Sequence, residues 1–162
     1  MKILEGLARL EDRIGTLLIY AIILLTSAQV FFRYVLNYPL GWTEEMARYV
    51  FIWAVFLGAA VVARSRGHVA VELFHPYLPL WGRRAVQIFN DVCILGFLAL
   101  ILWPALNYAT YAFRLKAIAT EIPMFFIYVS VPVSCVLIIV HTIHNMYRDL
   151  SGHNAAGPEE GR

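Results

Sequence analysis

The sequence predicts an all-α integral membrane protein, with four transmembrane helices preceded by a short N-terminal interfacial helix. Two observations carry this reading. Of 162 residues, 60% are hydrophobic and 15% charged, with a mean hydropathy of +0.67, whereas a soluble domain usually carries about 25% charged residues. The charges are also confined: none falls in residues 14–32, 49–63, 92–113 or 122–147, windows of 19, 15, 22 and 26 residues. Three of these reach the roughly 18 residues a spanning helix needs. The second becomes long enough if Thr43 caps a helix whose first turn holds Glu44 and Glu45 and which runs to Arg64, about 30 Å at ~1.5 Å per residue. A β-barrel is excluded, because its strands alternate whereas these segments are apolar on every face.

The elements follow in order. Residues 2–13 mix Ile3, Leu4, Leu7, Ala8 and Leu10 with six charged residues at a helical period, the pattern of a helix lying in the membrane surface. Helix 1 is expected over 14–34. Its apolar run is longer than the roughly 7–15-residue core of a secretory leader, so it reads as a span and not as a cleaved segment. Asn37, Pro39 and Gly41 mark the turn into helix 2, expected over 44–64. There the small-residue pairs Ala54/Gly58 and Ala59/Ala63 offer a close-packing face.

Residues 65–84 carry Val69, Val71, Leu73, Phe74, Tyr77 and Trp81 and should lie in the headgroup region or against a partner; Pro76 and Pro79 prevent one continuous helix there. Helix 3 is expected over 83–113, bent at Pro104, with Asp91 near its start and Arg64 or Arg66 as the expected partner of that carboxylate. Helix 4 is expected over 123–147, kinked at Pro132, its freed carbonyl met by Ser130, Ser134 or a neighbour. Residues 1–150 thus form one four-helix membrane domain, and 151–162 a disordered cytoplasmic tail.

Basic residues set the orientation. With the N-terminus in the cytoplasm, the inner segments hold nine of the thirteen Lys and Arg, and the outer side only Arg33, Arg48, Arg114 and Lys116. Both termini are therefore expected inside.

Little in the chain supports chemistry. Cys93 and Cys135 are isolated, so no disulfide framework or metal motif results. The five histidines, His68, His75, His141, His144 and His153, all map to the inner side, and helices 1 to 3 contain none, which does not suit axial haem ligation between helices. No phosphate loop or nucleophile motif is present, so neither an enzymatic activity nor a cofactor is expected, and a net charge of +2 gives no reason to expect nucleic acid. Polar interest lies at the helix ends. Outside, Arg33, Glu44, Glu45 and Arg48 fall within sixteen residues, and Arg33–Glu45 and Glu44–Arg48 pairs are expected. Inside, Arg64, Arg66, His68, Glu72 and Asp91 form the corresponding knot.

Taken together, Phe31-Phe32-Arg33-Tyr34-Val35, Trp42-Thr43-Glu44-Glu45-Met46-Ala47-Arg48, Trp53, Phe56-Leu57-Gly58-Ala59-Ala60, Arg64, His68 and Val71 resemble the small membrane subunit (DctQ-like small permease) of tripartite ATP-independent periplasmic (TRAP) transporters. The resemblance covers roughly 10–150 and concentrates in 31–74. It implies a bacterial or archaeal inner-membrane uptake system importing an organic acid, a C4-dicarboxylate or similar carboxylate. Its other parts would be a periplasmic solute-binding protein and a large elevator-type permease subunit holding the substrate and sodium sites. This chain would be the static scaffold in lipid beside the large subunit, with no substrate ligand of its own. Arg33, Glu44, Glu45 and Arg48 would organise the periplasmic edge with Trp42 and Trp53, and Arg64, Arg66 and His68 the cytoplasmic edge. The rival readings are a self-sufficient oligomeric transporter or channel and a membrane anchor of a redox complex.

Overall fold

The computed structural model describes residues 2–38, 40–65 and 80–150; the expected disordered tail lies outside them, as do residues 66–79 of the expected inner loop, whose residues 80–84 are helical. α1 spans Lys2–Tyr34, α2 Gly41–Arg64, α3 Leu80–Tyr111, α4 Phe125–Tyr128 and α5 Ser130–Leu150, with a 3-10 turn at Ala112–Arg114 after α3. Four stretches are long and apolar enough to cross a membrane: Glu5–Tyr34, Gly41–Arg64, Ala85–Arg114 and Phe125–Tyr147. A helix meets its backbone hydrogen bonds within itself, the condition for lying in hydrocarbon, and where Pro132 breaks the fourth stretch side chains supply the missing donors.

α3 begins three residues earlier than expected and α5 ends three residues later; three further differences each have a local reason. The segment expected as a separate interfacial helix is the first three turns of α1, which runs unbroken for 33 residues; no proline interrupts it, and its Glu11 and Asp12 are drawn towards other helices. α2 begins at Gly41, and Leu40 occupies its N-cap position. Thr43 is therefore inside the first turn, buried, and its hydroxyl donates back to the Leu40 carbonyl at 2.7 Å. The fourth crossing is divided at Val129. Pro132 has no N–H for the Tyr128 carbonyl and its ring crowds that oxygen, so the break falls one turn before the proline.

The turn between α1 and α2 is closed by Asn37 at φ 51°, a left-handed conformation that asparagine tolerates at a helix C-terminus. Tyr38 N–H then donates to the Phe32 carbonyl at 3.0 Å.

The helices form a row. α1 packs on α2, α2 on α5, and α5 on α3. Burial follows that order: none of the most apolar window of α1 is buried and 6% of that of α3, against 22% for α2 and 39% for α5. The packing stripe of α2 is Leu57, Ala60 and Ala63, spaced by three. Gly58 lies beside it; a methyl group added there would meet nothing within 4 Å, so no close approach among the described residues depends on it. Ala63 belongs to the packed stripe, whereas Ala59 is exposed.

Candidate functional site: two polar belts

At the end of the row that carries the termini, three helices meet through charge. Glu11 of α1 is 3% exposed. Its two oxygens lie 2.9 and 3.0 Å from Nε2 of His141 on α5, and one of them is 3.5 Å from Arg64 on α2. An ionised carboxylate only accepts, so the imidazole nitrogen turned towards it carries the hydrogen. Arg64 also donates to Asp12 at 2.7 Å. His141 is as buried as Glu11, so this contact is shielded from water, where a carboxylate needs its partners most.

The same end closes α2. A helix leaves its last four carbonyls without intrahelical donors, and here each has one. The Val61 carbonyl accepts from Ser65 N–H at 3.1 Å, and that of Val62 from the Ser65 hydroxyl at 3.0 Å. Those of Ala63 and Arg64 accept from the Asn145 side-chain amide at 3.2 and 3.5 Å. His141 and Asn145 are one turn apart on α5, so one face of that helix serves both α1 and α2.

At the opposite end, Glu45 in the second turn of α2 reaches across to the connection between α3 and α4. Its carboxylate accepts the backbone N–H groups of Ile118, Ala119 and Thr120 at 3.0, 3.1 and 2.8 Å and the Thr120 hydroxyl at 2.9 Å. Successive amides turned to one point form a concave anion site, and the protein fills it with its own carboxylate. Trp53, two turns deeper, donates its indole N–H to the Phe126 carbonyl at 2.9 Å. The break before α5 deprives that carbonyl of a helical donor, and Ser130 meets the next one by donating its hydroxyl to the Ile127 carbonyl at 2.6 Å. Phe113 stacks on Phe125 with centroids 4.0 Å apart, and Tyr108 meets Tyr128 edge-on at 4.8 Å, fastening α3 to α4.

Among the expected site residues, Glu44 and Arg48 do pair, at 3.9 Å on an exposed surface. Glu45 is not paired with Arg33 but is committed to the loop amides, which lie closer than any guanidinium; Arg33 and Trp42 are exposed. Arg64 is drawn to Glu11 and Asp12 rather than to Asp91, because α1 and not α3 lies beside α2. Asp91 is half-buried on α3 and has polar interactions of its own. Arg66 and His68, like Glu72, lie outside the described residues. Ser134, expected as a possible donor at the kink, bonds instead to the Ser130 carbonyl at 2.8 Å. The reading from sequence placed His141 on the inner side without its partner, and did not single out Glu11, Asn145 or Thr120. The available signals were an acidic pair, Glu11-Asp12, just ahead of the first apolar run, and a histidine and an asparagine one turn apart at the inner end of the last. Among the described residues no cluster of three or more His, Cys, Asp or Glu could hold a metal ion.

Polar side chains that bind helix to helix at both ends, with membrane-crossing apolar stretches between, define a multi-pass membrane component built to hold a shape. The family of that component is established by comparison. The model of the DctQ component of tripartite ATP-independent periplasmic transporters matches residues 22–152, most of the chain, and the chain belongs to that family: it is a TRAP-type small permease subunit of the inner membrane, a transporter component and not an enzyme.

Relatives agree. An isethionate TRAP transporter permease protein, DctMQ, of Oleidesulfovibrio alaskensis is 30% identical over 134 residues, 78% of this chain but 21% of that protein's own length. A Haemophilus influenzae protein provisionally described as a TRAP transporter small permease is 28% identical over 144 residues, covering 86% of this chain and 87% of its own. The sialic acid TRAP transporter small permease protein SiaQ of Vibrio cholerae is 23% identical over 138 residues, covering 85% and 80%.

Proposed function

We propose that this chain is the stationary scaffold of a three-part importer of an organic acid, a C4-dicarboxylate or similar carboxylate. A large multispanning permease subunit would carry the solute, and a periplasmic solute-binding protein would deliver it. The observation that carries the proposal is the family match together with the isethionate relative, in which the matching stretch is a fifth of a single longer permease chain. The helix row supports it physically. Secondary transporters place broken helices and convergent polar groups at mid-membrane, whereas the charged cross-helix contacts among the described residues, Glu11–His141–Arg64 and Glu45 with the 118–120 amides, gather at the two ends. Named relatives carry isethionate, sialic acid, C4-dicarboxylate or ectoine in their descriptions, and selection among such solutes falls to the partners.

In this reading both termini are cytoplasmic. The belt of Arg33, Trp42, Glu44, Glu45, Arg48 and Trp53 sets the periplasmic edge, and Arg64, Arg66 and His68 the cytoplasmic edge; sodium binds in the large subunit. The test is tagged purification in mild detergent with mass identification of what accompanies the chain, followed by uptake assays of the reassembled parts. Copurification with a much larger multispanning protein, and carboxylate uptake only when all parts are present, is the expected result. Flux through the purified chain alone in liposomes would overturn it.

A further inference from the structure

The connection between α3 and α4 presents a face that neither the family assignment nor the scaffold role explains. After the 3-10 turn the backbone is extended at Leu115, φ −96° and ψ 130°, and Lys116 forms an antiparallel bridge with Pro123. Met124 N–H donates to the Leu115 carbonyl at 2.9 Å and Ala117 N–H to that of Ile122 at 3.0 Å. Across the extended residues 115–117 successive side chains alternate sides, Leu115 half-buried, Lys116 exposed and Ala117 buried; Arg114, which ends the 3-10 turn, and Ile118, which opens the next turn, are exposed as well. Two cations and an isoleucine that is 96% exposed thus stand out of the fold within five residues of one another. Neither Arg114 nor Lys116 has a carboxylate partner among the described residues, and Glu45 holds the following three amides, so this shape exists before any ligand arrives.

The level of this face says what adjoins it. Glu45, which fixes the loop, and Arg64, in the opposite polar belt, are nineteen positions apart on α2, about 28 Å along a helix axis. That is close to the ~30 Å thickness of the hydrocarbon core. The strand thus sits where hydrocarbon gives way to headgroups, beside the exposed rings of Phe113 and Phe126, the depth at which aromatic side chains collect. An exposed apolar side chain next to unpaired cations in that plane matches the chemistry of a phospholipid: acyl chain for Ile118, phosphate for Arg114 and Lys116. We propose that the α3–α4 strand is a lipid anchor that binds anionic phospholipid at the membrane boundary.

The test uses the full chain in nanodiscs of phosphatidylcholine, with or without phosphatidylglycerol. In a Cys93→Ala background, Ile118→Cys carries an environment-sensitive fluorophore; buried Cys135 is not labelled. The label should be quenched several-fold more by brominated lipid than by an aqueous quencher. Phosphatidylglycerol should be enriched around the protein, falling about fivefold for each cation removed in R114Q and K116Q and persisting in R114K/K116R. The single substitutions are at exposed positions, and the label depth is read with both cations intact, so a poorly folding double variant does not decide the outcome. Water-like quenching, unchanged lipid preference in R114Q and K116Q, or protection of the label only after a solute-binding protein is added would overturn the proposal, the last by assigning the face to protein.

Discussion

Glu11 and Glu44 are both carboxylates facing an arginine, yet their surroundings give them different weight. Glu44 and Arg48 are 56% and 66% exposed and 3.9 Å apart, so water screens the pair and its net contribution is ~0–0.5 kcal/mol. Glu11 is 3% exposed and contacts His141 and Arg64 together. Removing it leaves a shielded imidazole and part of a guanidinium without their acceptor, a loss of about 3 kcal/mol. Equilibrium unfolding in detergent micelles should therefore show Glu11→Ala strongly destabilised and Glu44→Ala indistinguishable from the parent. Equal small losses would mean that water reaches Glu11. The outer charge cluster was legible in the sequence because Glu44 and Arg48 are four apart on one helix. Glu11 and His141 are 130 positions apart, and no local pattern joins them.

At the scale of the element, the spans were legible because hydrocarbon leaves the backbone few alternatives: a long uncharged stretch must be helix. The ends and the interruption obey contacts from elsewhere in the chain. Helix 2 closes with an amide from Asn145, and the loop after helix 3 is shaped by a carboxylate 73 to 75 positions away. Pro132 foretold a kink, but not that Trp53 would meet the Phe126 carbonyl. That bond gives a prediction. Trp53→Phe keeps an aromatic ring and loses the donor, which should cost about 1 kcal/mol in the parent. Pro132→Ala restores an amide to the helix, lets Ser130 N–H return to the Phe126 carbonyl, and so should make the same Trp53 substitution nearly neutral. A double-mutant cycle measured by unfolding reads the difference, and strict additivity would show that the indole bond and the helix break are independent.

For the whole molecule, the order of the helices is the feature hydropathy conceals. Helices apolar all round can pack in any order, and of the expected small-residue face of α2, Ala54, Gly58, Ala59 and Ala63, only Ala63 lies in the packed stripe of Leu57, Ala60 and Ala63. What selects the row is side-chain contact near the helix ends, polar between α1, α2 and α5, where Glu11 and Arg64 join α1 to α2 and Asn145 joins α5 to α2, and aromatic where Tyr108 of α3 and Phe113 of the 3-10 turn meet α4. A row leaves the outer faces of α1 and α3 available along their length, with Leu24 71% and Leu100 76% exposed, whereas a closed bundle would turn part of each inward. Cysteine pairs distinguish the two arrangements. In the monomer, a short bifunctional reagent should join Ala63→Cys to Asn145→Cys, whose parent residues are bonded through the Ala63 carbonyl. It should fail to join Leu24→Cys to Leu100→Cys on the two flanks. Efficient intramolecular linkage of the second pair would mean that α1 and α3 close on each other, and would remove the broad, fixed flank on which the scaffold role depends.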